Sequence, residues 1–382
     1  MSNMTTRYVR PARTDIVFYT RQLHNGGVDR VVFNLAEEFL RAGISPTIVV
    51  DLDNPFSPFR PLIPEGVDYV VLNARDPLSR LFKLRAYLRR RRPVAVMCAS
   101  FGFPNLYAVA VRWIAGFRFH LMLTEHCFPS VDVVGPKPWQ ARYWFFPLAR
   151  RLYPFADSIV AVSRGTAEDL ARVIRIPPEK VASIYNPIVS DALIHQSREA
   201  VDHPWFAEPE IPVVIAVGRL EPQKNFSLLI RAFAAVGDKI RCRLLILGDG
   251  SERDMLTALV ADLGLEGDVA MPGFAANPHA YVAKANLLVL SSDFESLANV
   301  VIEAMAVGTP VIATDCPSGP AEALDGGRFG TLVPVGDAIR MRDAMLALLD
   351  RRPPPVAQSW LTQFTTRHSA ERYLEILLPA SA

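Results

Sequence analysis

The chain has 382 residues, half of them hydrophobic and 21% charged, a length that exceeds one ordinary core and suits two domains of about 150 to 200 residues. Its 41 Lys and Arg against 39 Asp and Glu leave a net charge of +2, which excludes the global basic field of a general nucleic-acid binder, so no nucleic acid is expected as a partner. That balance conceals a split: residues 1–200 carry 26 basic and 17 acidic side chains, net +9, and residues 201–382 carry 15 and 22, net −7.

Residues 1–13 are polar and contain no apolar leader core. The longest suspicious apolar stretch, 107–119, is short and interrupted by Arg112 and Arg118, so no transmembrane helix is expected. Cys98, Cys127, Cys242 and Cys316 are scattered without paired spacing, which argues against a disulfide framework and a structural zinc site. A reducing, cytoplasmic setting fits. Short β-rich runs then alternate with helical patterns, the signature of parallel α/β architecture. In the first half the predicted strands are 15–20, 46–52, 69–73, 94–100, 121–125, 158–163 and 181–185; in the second they are 213–219, 243–248, 269–273, 287–291, 311–314 and 331–333. Both sets read as doubly wound sheets.

Apolar periodicity fades between 187 and 212, where Pro187, His203, Pro204, Pro209 and Pro212 punctuate a polar stretch. The seam therefore divides the chain into 1–190 and 205–360, and the amphipathic helix predicted over 360–378 lets the segment 360–382 pack back on the first domain. Ligands of open parallel sheets bind at the carboxyl ends of the strands, so the loops there are the places to look for chemistry.

Three such loops stand out. His24-Asn25-Gly26-Gly27-Val28 precedes a helix predicted over 29–42; its paired glycines are either plain turn residues or allow close backbone approach of an anionic ligand at a helix N-terminus. A G-x-G-x-x-G dinucleotide fingerprint is absent there, and Gly248-Asp249-Gly250 lacks the third glycine. Gly218-Arg219-Leu220-Glu221-Pro222-Gln223-Lys224-Asn225 sets a guanidinium and an ammonium five positions apart, either a solvated basic pair or two charges for a diphosphate. In the third loop Glu295 precedes a helix and Glu303 lies about two turns inside it, about 12 Å along the axis at 1.5 Å per residue. Those carboxylates are either a cap and a surface acid or the two ends of a nucleotide-sugar site, with the amides of Leu297, Ala298, Asn299 and Val300 opposite its diphosphate.

Taken together, Gly26-Gly27, Gly218-Arg219-Leu220 with Lys224-Asn225, and the E-x7-E spacing of Glu295 and Glu303 resemble the retaining GT-B glycosyltransferases of family 4. The resemblance covers nearly the whole chain and is strongest over 213–337. Thr314-Asp315-Cys316-Pro317-Ser318-Gly319-Pro320-Ala321-Glu322 and Tyr185-Asn186-Pro187-Ile188 resemble a bacterial subset that builds lipid-linked oligosaccharides and surface polysaccharides. The resemblance implies an α/β GT-B fold, two Rossmann-like parallel-sheet domains facing each other across a cleft, with 1–190 holding the acceptor and 205–360 the nucleotide-sugar. Carried over residue by residue, it assigns Arg219 and Lys224 to the donor diphosphate, Glu295 to sugar hydroxyls and Glu303 to the ribose. Gly26 and Gly27 fall beside the diphosphate and the acceptor, and His126, in Thr124-Glu125-His126, next to the donor sugar. His126, Arg219, Lys224 and Glu295 form the implied catalytic set. One departure is Leu297-Ala298 where the family commonly has Phe-Gly, because alanine disfavours the conformations reserved for glycine.

The reaction implied is transfer of a sugar to an acceptor hydroxyl on the same face, with no cofactor and no metal, and with a UDP-sugar favoured over a GDP-sugar. Asp51-Leu52-Asp53 matches the D-x-D that holds a metal in the other major glycosyltransferase fold, but it also reads as an ordinary acidic strand end. A nucleotide-sugar 2-epimerase or hydrolase on the same fold is the alternative, and a non-catalytic sensor is disfavoured by the presence of both Glu295 and Glu303. Two stretches of the first half suggest an anionic membrane as partner. Over 79–92, Leu81, Leu84 and Leu88 recur at helical spacing among seven basic residues; over 139–155, Trp139, Tyr143, Trp144, Phe145, Phe146 and Tyr153 interleave with Arg142, Arg150 and Arg151. The competing reading packs the leucines on the first sheet and leaves the arginines solvated. The expectation is a cytoplasmic enzyme, peripheral on the inner face of the cell membrane, acting on a lipid-linked or glycan acceptor.

Overall fold

The computed structural model describes residues 14–23, 26–99, 102–133, 140–208, 210–237, 239–351 and 353–379, and the chain divides into two compact units. The first comprises Met1–Ala161, Ala167–Ile184 and Ser369–Ala382; the second comprises Val162–Thr166 and Tyr185–His368.

The first unit runs β1 (Asp15–Thr20), α1 (Gly27–Arg41), β2 (Ser45–Val50), β3 (Asp68–Val71), α2 (Pro77–Arg91), β4 (Ala95–Cys98), α3 (Phe103–Ile114), β5 (His120–Glu125), α4 (Pro129–Val133), α5 (Ala141–Leu152), β6 (Ser158–Ala161), α6 (Arg164–Ile174) and β7 (Val181–Ser183). Its seven-stranded parallel sheet has the order β3-β2-β1-β4-β5-β6-β7. All six residues of β1 are buried, which is why this strand reads as an unbroken apolar run rather than an alternating one. On α1, Val31, Val32, Leu35, Ala36 and Phe39 form the buried stripe of an amphipathic helix. This helix begins at Gly27, two residues before the predicted start. Asp76 caps α2 by accepting the Ser79 amide at 2.9 Å.

The second unit contains α7 (Asp191–Gln196), β8 (Val213–Val217), α8 (Phe226–Gly237), β9 (Arg243–Leu247), α9 (Arg253–Asp262), β10 (Val269–Gly273), α10 (Pro278–Lys284), β11 (Leu287–Leu290), α11 (Asn299–Ala306), β12 (Val311–Thr314), α12 (Pro320–Ala323), β13 (Thr331–Val333), α13 (Ala338–Asp350) and α14 (Gln358–Leu361). Its six strands are parallel in the order β10-β9-β8-β11-β12-β13. The proline-punctuated stretch before β8 is folded into this unit: Ile188, Val189 and Leu193 are buried in its core.

The single helix predicted over 360–378 is a correction. The chain forms α14, a 3-10 turn over Thr362–Phe364, and then α15 (Thr366–Leu377). The break has a hydrogen-bond cause: the Phe364 carbonyl accepts from the amides of Ile188 and Val189, and the Thr366 amide donates to Val189, a bridge incompatible with continuous helix. Beyond the break, Ala370, Tyr373 and Leu377 of α15 are buried in the core of the first unit.

Candidate active site

In the second unit the functional loop begins where β8 ends. The Gly218 amide donates to Leu247 on the neighbouring strand, and a side chain at Gly218 would meet Cε of Lys224 at 3.3 Å. A glycine here leaves the Lys224 stem room to cross the loop closely. Gly248 lies against the same turn so closely that an added Cβ would stand 1.9 Å from the Gly218 carbonyl oxygen, and Gly250 is packed likewise on Leu220. The Gly248-x-Gly250 pair, not a dinucleotide fingerprint, is thus a backbone-on-backbone seat for the Arg219 loop. Arg219 itself is exposed, and its charge helps hold the Glu221 carboxyl below its ordinary value, after the larger effect of hydrogen bonds from Ser251.

After a 3-10 turn over Pro222–Lys224, Asn225 takes a left-handed conformation at φ 45°. Its Oδ1 accepts the Leu228 amide to start α8, and its Nδ2 donates to Asp293 at 2.8 Å. Asparagine suits both tasks, since it tolerates positive φ and caps helices. Gln223 is tied to the same partner loop through Phe294 and Asp293. These contacts bring Lys224 Nζ to 2.5 Å from Glu295 Oε1, which also accepts from Ser292 Oγ at 2.7 Å. Lys224 and Glu295, 71 residues apart, therefore meet in one largely buried ion pair.

The helix that follows starts later than expected. Ala298 is its N-cap at φ 61°, ψ 60°, so Glu303 is the fifth residue of α11, just over one turn inside. The 12 Å axial separation expected for the two carboxylates does not apply, because Glu295 precedes the helix and is not carried on its axis. Ala298 occupies the left-handed region that a glycine takes freely, at a cost of about 1–2 kcal/mol. Among the described residues the backbone amides of Ala298, Asn299 and Val300 donate to no protein group, whereas Leu297 is wholly buried. Glu303 lies 3.6 Å from Nδ1 of buried His279 at the start of α10.

In the first unit, His126 follows β5 and is buried. Thr124 Oγ1 spends its proton on the Cys98 carbonyl at 2.8 Å, so His126 Nε2, at 3.1 Å from that hydroxyl, is the donor. This leaves Nδ1 as the acceptor, buried and with no partner among the described residues. Burial pushes the imidazole down to about 4 and raises the Glu125 carboxyl well above its ordinary value. The imidazole is consequently neutral near pH 7. Tyr153 donates to Glu125 at 3.5 Å and accepts from Asn105 at 2.9 Å. Gly26 is the N-cap of α1, and Asp29 from the first turn accepts its amide at 3.4 Å, so a protein carboxylate already answers the end of this helix. His24 and Asn25 of that loop lie outside the described residues. Of the D-x-D pair, Asp51 is buried against Arg80 at 2.5 Å and Tyr19 at 2.9 Å, and Asp53 pairs with Arg60 and Tyr69.

The basic and aromatic stretches divide between core and surface. On α2, Leu84 and Leu88 pack into the sheet, Arg80 neutralises Asp51, and Arg91 neutralises Asp15 and Asp68. The face expected to lie in a membrane is therefore the one that builds the core. Phe145, Phe146 and Tyr153 are likewise buried, and Trp139 lies outside the described residues. Tyr143 and Trp144 of the expected set stay exposed, together with Leu78 and Phe82 on α2, Trp113 and Ile114 on α3, and Leu148 and Phe155 in and after α5. Arg85 joins α2 to α3 through the Ile114 carbonyl, and Trp113 meets Phe155 edge to face at 4.9 Å. Among the described residues no helix is long and apolar enough to cross a membrane.

Sequence reasoning missed Ser292, which shares Glu295 with Lys224, and Asn186, whose Nδ2 donates to the Asn299 side chain at 2.9 Å. The signal for Asn186 was present in Tyr185-Asn186-Pro187-Ile188, without a partner to give it meaning. Comparison with known proteins bears on the family and the fold. Residues 25–191 match the family model described as Glycosyltransferase Family 4, and residues 211–351 match the one described as Glycosyl transferases group 1. The chain is 36% identical over 247 residues to the N-acetylgalactosamine-N,N'-diacetylbacillosaminyl-diphospho-undecaprenol 4-alpha-N-acetylgalactosaminyltransferase of Campylobacter jejuni, covering 65% of each. It is 30% identical over 243 residues to the lipopolysaccharide core biosynthesis glycosyltransferase LpsE of Rhizobium meliloti, covering 61% of this chain and 67% of the relative. The chain thus spans about two thirds of the length of these curated relatives. In fold it is similar to HepE of Anabaena in complex with UDP and glucose, with a TM-score of 0.71 at 20% identity and 96% of each chain covered. With two doubly wound parallel sheets, the two family matches and these relatives, the chain belongs to glycosyltransferase family 4.

Proposed function

We propose that this protein moves a sugar from a nucleotide-sugar, a UDP-sugar in preference to a GDP-sugar, to a hydroxyl of a lipid-linked or glycan acceptor, with retention and without metal or cofactor. The observation that carries this reading is the Lys224–Glu295 contact beside the unpartnered amides of Ala298, Asn299 and Val300. One cation and a row of amides suit a diphosphate, and one carboxylate suits sugar hydroxyls. The Campylobacter relative is named for a diphospho-undecaprenol acceptor, and HepE is described with UDP and glucose, which supports both substrate classes. The comparisons give no support to a 2-epimerase or hydrolase.

In this mechanism the glycosyl C–O bond breaks and its electron pair goes to the departing diphosphate. Arg219, Lys224 and the amides stabilise that growing charge. The acceptor hydroxyl bonds to the anomeric carbon on the same face and passes its proton to the leaving phosphate. Lys224 now balances Glu295; a diphosphate within its reach competes for the ammonium and releases carboxylate lone pairs for sugar hydroxyls. His126, neutral and with Nδ1 as acceptor, is suited to receive a hydrogen bond from a sugar hydroxyl rather than to donate a proton. The test is incubation of UDP- and GDP-sugars with a lipid-diphosphate glycan, with and without EDTA, followed by NMR of the product linkage. An α-linked product formed in EDTA is expected from an α-linked donor; inverted product, or activity abolished by EDTA, overturns the retaining or metal-free reading.

The exposed apolar set of the first unit, flanked by exposed Arg89 and Arg90, supports docking on an anionic bilayer. Phe82 and Trp113 are 59% and 56% exposed, so replacing both with serine should leave the core intact. That double variant should lose most pelleting with acidic-lipid liposomes at low salt. Wild-type protein that stays in the supernatant under the same conditions rejects membrane docking.

A further inference from the structure

One carbonyl in the second unit is ringed by three hydroxyls, a cluster in which each hydroxyl has a single proton to give either to the carbonyl or to a neighbour. Ser163 Oγ stands 2.6 Å from the Ser296 carbonyl oxygen, Ser318 Oγ 3.0 Å and Thr166 Oγ1 3.2 Å. The hydroxyls also contact one another, Ser163 at 2.8 Å from both Thr166 and Ser318. They come from two segments remote in sequence, Val162–Thr166 and the loop before α12, and converge on the turn that leads from Glu295 into α11.

The convergence is tightly built. Ser318 adopts φ 65°, a conformation that non-glycine residues rarely occupy, and Gly319 at φ 64° lies against the Leu297 backbone, where an added Cβ would meet three backbone atoms at 3.0–3.1 Å. A Cβ on Gly165 would strike Ser318 Oγ at 2.8 Å. Glu322 accepts the amides of Arg164 and Gly165 at 2.8 and 3.3 Å, fixing the segment that presents Ser163 and Thr166. The far end of the turn is held separately, by Asn186 on the Asn299 side chain. Between these anchors sit Ala298, in its costly left-handed conformation, and the unpartnered amides of Ala298, Asn299 and Val300.

We propose that Ser163, Thr166 and Ser318 are positioning residues for the donor diphosphate: by clamping the Ser296 carbonyl they hold the Ser296–Asn299 turn so that its amides point at the phosphates. This rests on the diphosphate assignment above and adds the residues that make it rigid. Amides prearranged in this way bind charge without reorganising at the moment of reaction, which is the condition for electrostatic stabilisation of a leaving group. It also gives a role to Ser318-Gly319-Pro320-Ala321-Glu322, in which the serine clamps, the glycine lies on the turn, and the glutamate holds the opposing segment.

The inference separates a diphosphate contact from general loosening. Calorimetry with UDP and with uridine on Thr166→Val, which keeps shape and removes the hydroxyl, should show UDP affinity reduced about fivefold to tenfold, as expected for one lost hydrogen bond, and uridine affinity unchanged. Thr166→Ser should restore UDP binding, and Ser318→Ala, an independent removal from the other segment, should repeat the pattern. Folded variants with wild-type UDP affinity, or with equal losses for UDP and uridine, overturn the clamp. Wild-type protein that binds none of UDP, GDP and ADP overturns the diphosphate assignment itself and the clamp with it.

Discussion

Lys224 and Arg219, both proposed to bind the leaving diphosphate, stand in different surroundings, one paired and largely buried, the other exposed. Alanine at either position should lower kcat at least tenfold, because roughly 1.5 to 3 kcal/mol is at stake in a charge-assisted contact that strengthens in the transition state. A folded double variant with unchanged turnover removes both from the diphosphate. Glu303→Gln should raise the Kd of the free nucleoside diphosphate, and an unchanged Kd moves the ribose contact elsewhere. Glu125 and His126 make a prediction about stability. In the folded chain burial raises the Glu125 carboxyl above its ordinary value and lowers the His126 imidazole to about 4. The two shifts therefore act on stability with opposite sign as pH changes. Glu125→Gln leaves the histidine alone, so its contribution to stability should grow as pH rises from about 4 to about 6.5; His126→Gln leaves the carboxyl alone, and stability should fall as pH rises above the ordinary carboxylate value of about 4.3. Denaturant titrations at several pH values check this, and parallel slopes in the two variants exclude it.

At the level of elements, the thirteen strands among the described residues were legible: central ones such as β1, β4 and β11 are buried throughout and leave apolar runs that need no long-range information. The errors lie mostly at their carboxyl ends. The runs 158–163, 213–219 and 287–291 overshoot strands that end at Ala161, Val217 and Leu290, and the surplus residues, Ser163, Gly218-Arg219 and Ser291, have left the ladder to become site loops. The chemistry-bearing motifs were legible as spacings, whereas their partners were not: Ser163 meets Ser318 across 155 residues, and no local pattern encodes that. The amphipathic reading of α2 failed for a related reason, since a stripe of leucines reports burial without naming what buries it. The Gly218–Gly248 contact permits a sharp test of how these loops depend on each other. Gly248 sits at φ 143° with no space for a methyl, so Gly248→Ala should destabilise the protein by about 2 kcal/mol or more and weaken UDP binding. Normal thermal stability in that variant contradicts the packing described.

On the scale of the whole chain, the first unit is assembled from three stretches and the second from two. Tyr373 on α15 is completely buried in the first unit's core, 353 residues after the end of β1, so Tyr373→Ala should cost about 3 to 5 kcal/mol as large core truncations do. Calorimetric melting that leaves the first unit unaffected contradicts this. The same return of the chain has a consequence for synthesis. At about 5 to 20 residues per second, a ribosome that has finished β7 needs on the order of ten seconds or more before Tyr373 emerges. Throughout that interval the sheet of the first unit exists without the helix that completes one face of it, so the apolar side chains that pack against α15 stay uncovered while the second unit is still being made. The order of translation and the order of completion are therefore reversed: the half that is synthesised first is the half that finishes last.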